Sequence, residues 1–138
     1  MLSVLDASRY LRGLLVLIRR DERISEMERN LVMRVGKSLG FEGAFCANAI
    51  HEILDNSFID DSPPLFSTKD LAMAFIKDGI TVACSDDEAS DSEVQWLRST
   101  AESNGISLWW FHQELANVVK TKDKIHGLES ERFVIMNC

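Results

Sequence analysis

Apolar residues recur at helical spacing in six successive segments of this chain. In the first, residues 3–20, Leu11, Leu14, Leu15 and Ile18 fall on one face, and Val16 and Leu17 widen that stripe until little polar face remains. The pattern predicts a central, mostly buried helix, with Arg19 and Arg20 at the end where the helix dipole favours cations. The second segment, 26–39, places Met27, Leu31, Val35 and Leu39 in one stripe. Ser25 with Glu28 three residues on is the capping-box pattern at its start, and Gly40 stops it. The third, 43–57, sets Phe45, Ala49, Ile50, Ile53 and Leu54 against Asn48, His51, Glu52 and Asp55. The stretch 59–67, with Pro63-Pro64, then ends helical pattern and marks a seam.

After the seam the order returns. A buried helix is predicted over 68–84 from Leu71, Ala72, Phe75, Ile76, Ile80 and Val82. A second helix follows, capped by Ser90 and Glu93 and stopped by Gly105, then a third from Ser107 to about residue 120 with Leu108, Phe111, Leu115 and Val118 as its stripe. Asp21 and Asp86, Ser25 and Ser90, Glu28 and Glu93, Gly40 and Gly105 are each 65 positions apart. The chain therefore reads as a duplicated unit, with repeats at about 10–58 and 68–120. The expected fold is all-α, one domain over residues 1–138: a compact bundle of two pseudo-symmetric three-helix repeats around one core. The tail 121–138 begins polar and ends Phe133-Val134-Ile135-Met136, too short a pattern to assign to helix or strand.

Composition agrees with a self-sufficient core: 138 residues, 46% hydrophobic and 27% charged, with two prolines. A net charge of −7 and a pI near 4.9 turn the reading away from nucleic acid and anionic membranes and toward cations or basic protein surfaces. Cys46, Cys84 and Cys138 form no CxxC pair and leave an odd count, the usage of a reducing compartment, so a cytoplasmic location is expected. The apolar runs 14–18 and 71–76 fall far short of the roughly 20 residues that span a bilayer, so no membrane insertion is expected.

With the duplicated pattern in view, the sequence resembles the TerB-like family, the tellurite-resistance-protein-B group of small all-helical bacterial domains. The resemblance rests on an apolar helix, then Asp-Gly-x-Ile-Ser-x-x-Glu, a second amphipathic helix and a Gly stop. This chain has Asp21, Ile24-Ser25, Glu28 and Gly40, and again Asp86, Ser90, Glu93 and Gly105. Where the family has Gly after the Asp, this chain has Glu22 and Asp87, and Ala89 replaces the β-branched residue. The resemblance implies a non-enzymatic module tied to tellurite and general stress responses, whose acidic link residues hold a metal ion.

The residues themselves offer two candidate sites. Asp86, Asp87 and Glu93, joined by Asp21 and Glu28 if the two links approach each other, would supply the several oxygen ligands that Ca²⁺ or Mg²⁺ requires. Helix initiation explains the same acids, since a capping box and the dipole both favour carboxylates in a first turn. The second link faces fewer bases than the first, which has Arg20 and Arg23, and is the better cation candidate. Trp109-Trp110-Phe111 is the other candidate. Successive residues turn by about 100° on a helix, so three aromatics cannot share one face. Either Trp109 and Trp110 pack internally, or they form a contact patch for a protein partner without any metal. His51 and Asp55, one turn apart, faintly resemble a zinc-hydrolase helix, but a solvated polar face accounts for them. No constellation points to catalysis.

Overall fold

The computed structural model of the chain describes residues 2–20, 24–55, 60–85, 89–120 and 128–131. Six helices carry the fold: α1 (Val4–Arg19), α2 (Glu26–Ser38), α3 (Gly43–Asp55), α4 (Lys69–Ala83), α5 (Asp91–Ser103) and α6 (Leu108–Lys120). A helical turn at residues 129–131 follows, and no strand occurs among the described residues. α5 and α6 begin and end 65 positions after α2 and α3. None of these helices is long and apolar enough to cross a membrane.

α1 and α4 are the inner pair, as the wide apolar face on each requires. α1 packs against α2, α3, α4 and α5, and α4 against α1, α2, α5 and α6; α2 and α3 pair on one flank, α5 and α6 on the other. Tyr10, Leu14, Leu17 and Ile18 of α1 and Phe75, Ile76, Ile80 and Val82 of α4 are fully buried. Glycine sets how closely these helices approach. A Cβ on Gly13 would stand 2.6 Å from Phe75 Cζ, and one on Gly79 would stand 2.7 Å from Leu97 Cδ2 and 3.3 Å from Leu17 Cδ2. Into the space so defined the rings pack edge-on: Tyr10 meets Phe75 at 5.3 Å between centroids and 90°, and Phe75 meets Trp96 at 6.1 Å.

The outer helices begin and end alike. Ser25 and Ser90 each accept the N–H of the glutamate three residues on, and Glu28 and Glu93 each accept the N–H of the capping serine, so both capping boxes form in full. At the other end Gly40 (φ 94°) and Gly105 (φ 70°) take the left-handed conformation. Phe41 N–H then reaches Gly36 O, and Ile106 N–H reaches Ala101 O, each at 2.9 Å, while Gly40 and Gly105 bond Lys37 O and Glu102 O. These are paired Schellman stops, and they satisfy carbonyls that the helix itself leaves open.

The proline seam is a strap fastened by side chains from two helices. Arg9 donates to Leu65 O, Arg12 to Asp60 O and Arg20 to Asp61 on the α1 side. From α5, Trp96 Nε1 donates to Asp61 O, and Asn104 bonds both Pro64 O and Phe66 N–H. Asp6 accepts both the hydroxyl and the N–H of Ser67. Burial raises its pKa, but the hydrogen bonds from Ser67 and Ser3 outweigh it and hold the carboxyl below its usual range.

Three residues of the expected apolar stripes are exposed: Met27 at 46%, Phe45 at 54% and Leu54 at 46%. On α3 Ile50 and Ile53 are buried as expected, and Cys46 completes the buried line in place of Phe45 and Leu54. Cys46 fixes it, because its Sγ lies where a side chain at Gly36 would be, so α2 and α3 meet there. Among the described helices α3 packs against α1 and α2, with Phe45 and Leu54 at the edges of its apolar face.

Replacing Gly79 by Ala is expected to destabilise the protein by about 1–3 kcal/mol through overpacking against Leu97 and Leu17. Gly43→Ala, where the nearest atom to the new Cβ is Met33 Cε at 4.0 Å, should be neutral or slightly stabilising. Urea denaturation of the two variants beside the wild type measures the contrast.

Candidate functional site

Of the five carboxylates expected to gather round a cation, Asp21, Asp86 and Asp87 lie outside the described residues. Glu28 and Glu93 lie within them, each 1% exposed at the start of its helix. One oxygen of each is engaged by the box, accepting Ser25 N–H and Ser90 N–H at 3.0 Å. Among the described residues no three of His, Cys, Asp or Glu cluster as metal ligands. His51 and Asp55 form an exposed pair at 3.2 Å, the solvated polar face expected of them.

The flanks of the two links do meet. Arg20, at the end of α1, donates from Nε to Ser92 Oγ in the first turn of α5 at 3.0 Å, and from Nη1 to Asp61 Oδ2 at 3.0 Å. A guanidinium read as belonging to the first joint stands at the first turn of α5. The dipole disfavours a cation there, and Asp61 offsets it.

The aromatic run divides as helix geometry demands. Phe111 is fully buried, Trp110 is half-buried against the core, and Trp109 is 72% exposed. Ser107 Oγ accepts Trp110 N–H at 3.3 Å and starts the helix that presents them. A second aromatic surface lies at the α2–α3 corner, where the rings of Phe41 and Phe45 stack at 5.3 Å and 19°. α3 and α6 do not pack on each other, so Phe45 and Trp109 belong to different flanks.

Between α1 and the strap an open pocket of about 200 Å³ is lined by Arg9, Arg12, Gly13 and Val16 and by residues of the 60–65 stretch. Both arginines there donate to strap carbonyls, so their charge fastens the strap.

One buried polar centre escaped the sequence reading. Asp78, on α4 and 1% exposed, accepts the Tyr10 hydroxyl at 2.5 Å and two backbone N–H groups of the C-terminal turn, Glu129 at 2.6 Å and Ser130 at 2.9 Å. Burial pushes its pKa up to about 6 against those hydrogen bonds. Burial and the Asp78 charge push Tyr10 well above its usual value. An acid between Ile76 and Ile80 in a mostly apolar helix, and the chain's one tyrosine in another such helix, were the available signals.

No protein-family model, curated protein or solved structure matches the chain.

Proposed function

We infer that this chain is a non-enzymatic, TerB-like binding module of two pseudo-symmetric three-helix repeats, and that it holds a protein partner at the start of α6 through Trp109. The exposed indole carries this reading. Trp109 is 72% exposed while Phe111, two residues on, is fully buried, so a large ring is held out to solvent from a rigid base. Tryptophan contributes disproportionately to protein interfaces because it brings large area at little entropic cost. The net charge of −7 favours a partner whose apolar pocket is rimmed by basic residues. The duplication rests on the shared 65-residue offset and on the packing: exchanging α1, α2 and α3 for α4, α5 and α6 turns every packed helix pair into another packed pair.

A second reading keeps the divalent cation at the helix joints, with the stress and tellurite role that the family resemblance implies. It is favoured by the contact of Arg20 with Ser92, which brings the flanks of the two links together. Arg20 itself stands against it, since its charge repels a cation at the same place.

A photo-crosslinking residue at exposed Gln113, one turn from Trp109, is expected to give one discrete protein adduct in the host cell. Trp109→Ala should abolish the adduct while leaving stability within about 0.5 kcal/mol. No adduct, or one indifferent to Trp109, removes this reading. Thermal melts and calorimetry with millimolar Ca²⁺, Mg²⁺, Mn²⁺ and Zn²⁺ test the second reading. It requires stabilisation by at least one ion that is lost in Asp86→Asn/Asp87→Asn, and it fails if no ion binds.

A further inference from the structure

The chain carries both halves of a contact that it does not make with itself. One half is Trp109, its ring 72% exposed in the first turn of α6. The other is the pocket between α1 and the strap. Its apolar lining is Gly13, Val16, Pro63 and Pro64, and the guanidiniums of Arg9 and Arg12 join it. At about 200 Å³ it is smaller than the roughly 300–1,000 Å³ of sites that enclose a whole small molecule, so it takes one large side chain. Proline rings and guanidinium planes are both surfaces on which an aromatic ring stacks. Arg9 and Arg12 each bond a strap carbonyl, which holds their planes in place and leaves each with further N–H groups. The strap already receives one tryptophan from inside the fold, since Trp96 of α5 donates from Nε1 to Asp61 O at 2.8 Å. Among the described residues α6 packs on α4 and α5 and not on α1, and the exposure of Trp109 shows that its ring is not seated in the pocket of its own copy.

We propose that the partner is a second copy of this chain, with Trp109 of one copy inserted into the α1–strap pocket of another. The proposal rests on the reading of Trp109 as a contact residue and adds to it what the ring enters. The pocket has the chemistry that reading asks of a partner, an apolar floor with basic groups beside it. Asp60, also in the lining, pairs with Arg12 at 3.7 Å, so two guanidiniums against one carboxylate leave the pocket positive. The indole meets that charge with the negative face of its ring, and the acid that follows it on α6 is Glu114. Each copy has one ring to give and one pocket to fill, so the contact is made twice in a two-fold dimer or once per copy in a longer assembly. One side chain, on copies that each carry a net charge of −7, makes a weak contact, which crosslinking captures.

Purified full-length chains carrying a photo-crosslinking residue at Gln113 test the contact. The otherwise wild-type chain should give an adduct of twice 15.6 kDa, whose peptide map joins α6 to α1 or to residues 60–65. Arg12→Glu keeps the ring and reverses a charge of the pocket, and should cut the adduct about tenfold. Trp109→Ala, without the crosslinker, keeps the pocket and lacks the ring. Adding it to crosslinker-bearing Arg12→Glu should restore the adduct, because each chain supplies the half the other has lost. Ser62→Trp, which places a ring at the exposed edge of the pocket, serves as a second pocket-blocked chain should Arg12→Glu loosen the strap. No adduct between purified copies, an adduct that maps elsewhere or survives Trp109→Ala in the crosslinker-bearing chain, or a mixture no better than the pocket-blocked chain alone overturns the proposal. A Trp109-dependent adduct in the host cell that joins a different protein and never a second copy also overturns it, yet leaves Trp109 as a contact residue. The absence of any Trp109-dependent adduct in either setting removes both.

Discussion

Everything in this fold hangs on the close approach of α1 and α4. Each helix keeps only a narrow polar strip for water, so the rest of its surface must be wrapped by others, and the four remaining helices do the wrapping. Gly13 and Gly79 bring the pair and its neighbours into contact, and Phe75, Leu17 and Leu97 fill the space that the missing side chains leave. The hydroxyl of Tyr10 on Asp78 adds a polar tie between the two inner helices. In this dry setting a hydrogen bond to a charged acceptor is strong, and either partner left alone would be expensive.

Around that pair, polar side chains do the work of connection. α2 and α5 are started by serine–glutamate boxes and stopped by left-handed glycines, so the chain turns at fixed places. The proline strap cannot pair its own backbone within a helix or sheet, and Arg9, Arg12, Trp96 and Asn104 bind its carbonyls instead. The C-terminal turn follows the same economy, with its cap borrowed from α4. Charges that look available in the sequence are thus largely committed to holding segments in place. Trp109, by contrast, holds 72% of its surface out to solvent, which is why the functional reading rests on it.

How much of this could be read from the sequence follows from the range of each interaction. The helix starts and stops were legible because a cap is decided within four residues: Ser25 with Glu28, Ser90 with Glu93, and the two glycines. The inner helices were legible because their apolar faces are so wide that little polar face remains. Phe45 and Leu54 were not, because periodicity places a residue on a stripe without saying how wide a strip the neighbours cover, and α3 has only two neighbours among the helices. Arg20 was read at the pole of its own helix and instead reaches Ser92, a contact 72 positions away that no local rule contains. The C-terminal turn was illegible for the same reason. Of the candidate cation site, Glu28 and Glu93 were placed correctly as capping residues, and the three aspartates of the set lie outside the described residues.

The central claim is that α1 and α4 form the element on which the other helices depend. Native-state hydrogen exchange across a denaturant series tests it most directly, because it ranks each helix by the free energy at which it opens. The account predicts that amides of α1 and α4 exchange only through global unfolding, while α3 and α6, each packed on two neighbours, open at lower free energy. Exchange of α1 or α4 through a partial opening that leaves α3 or α6 protected would contradict it.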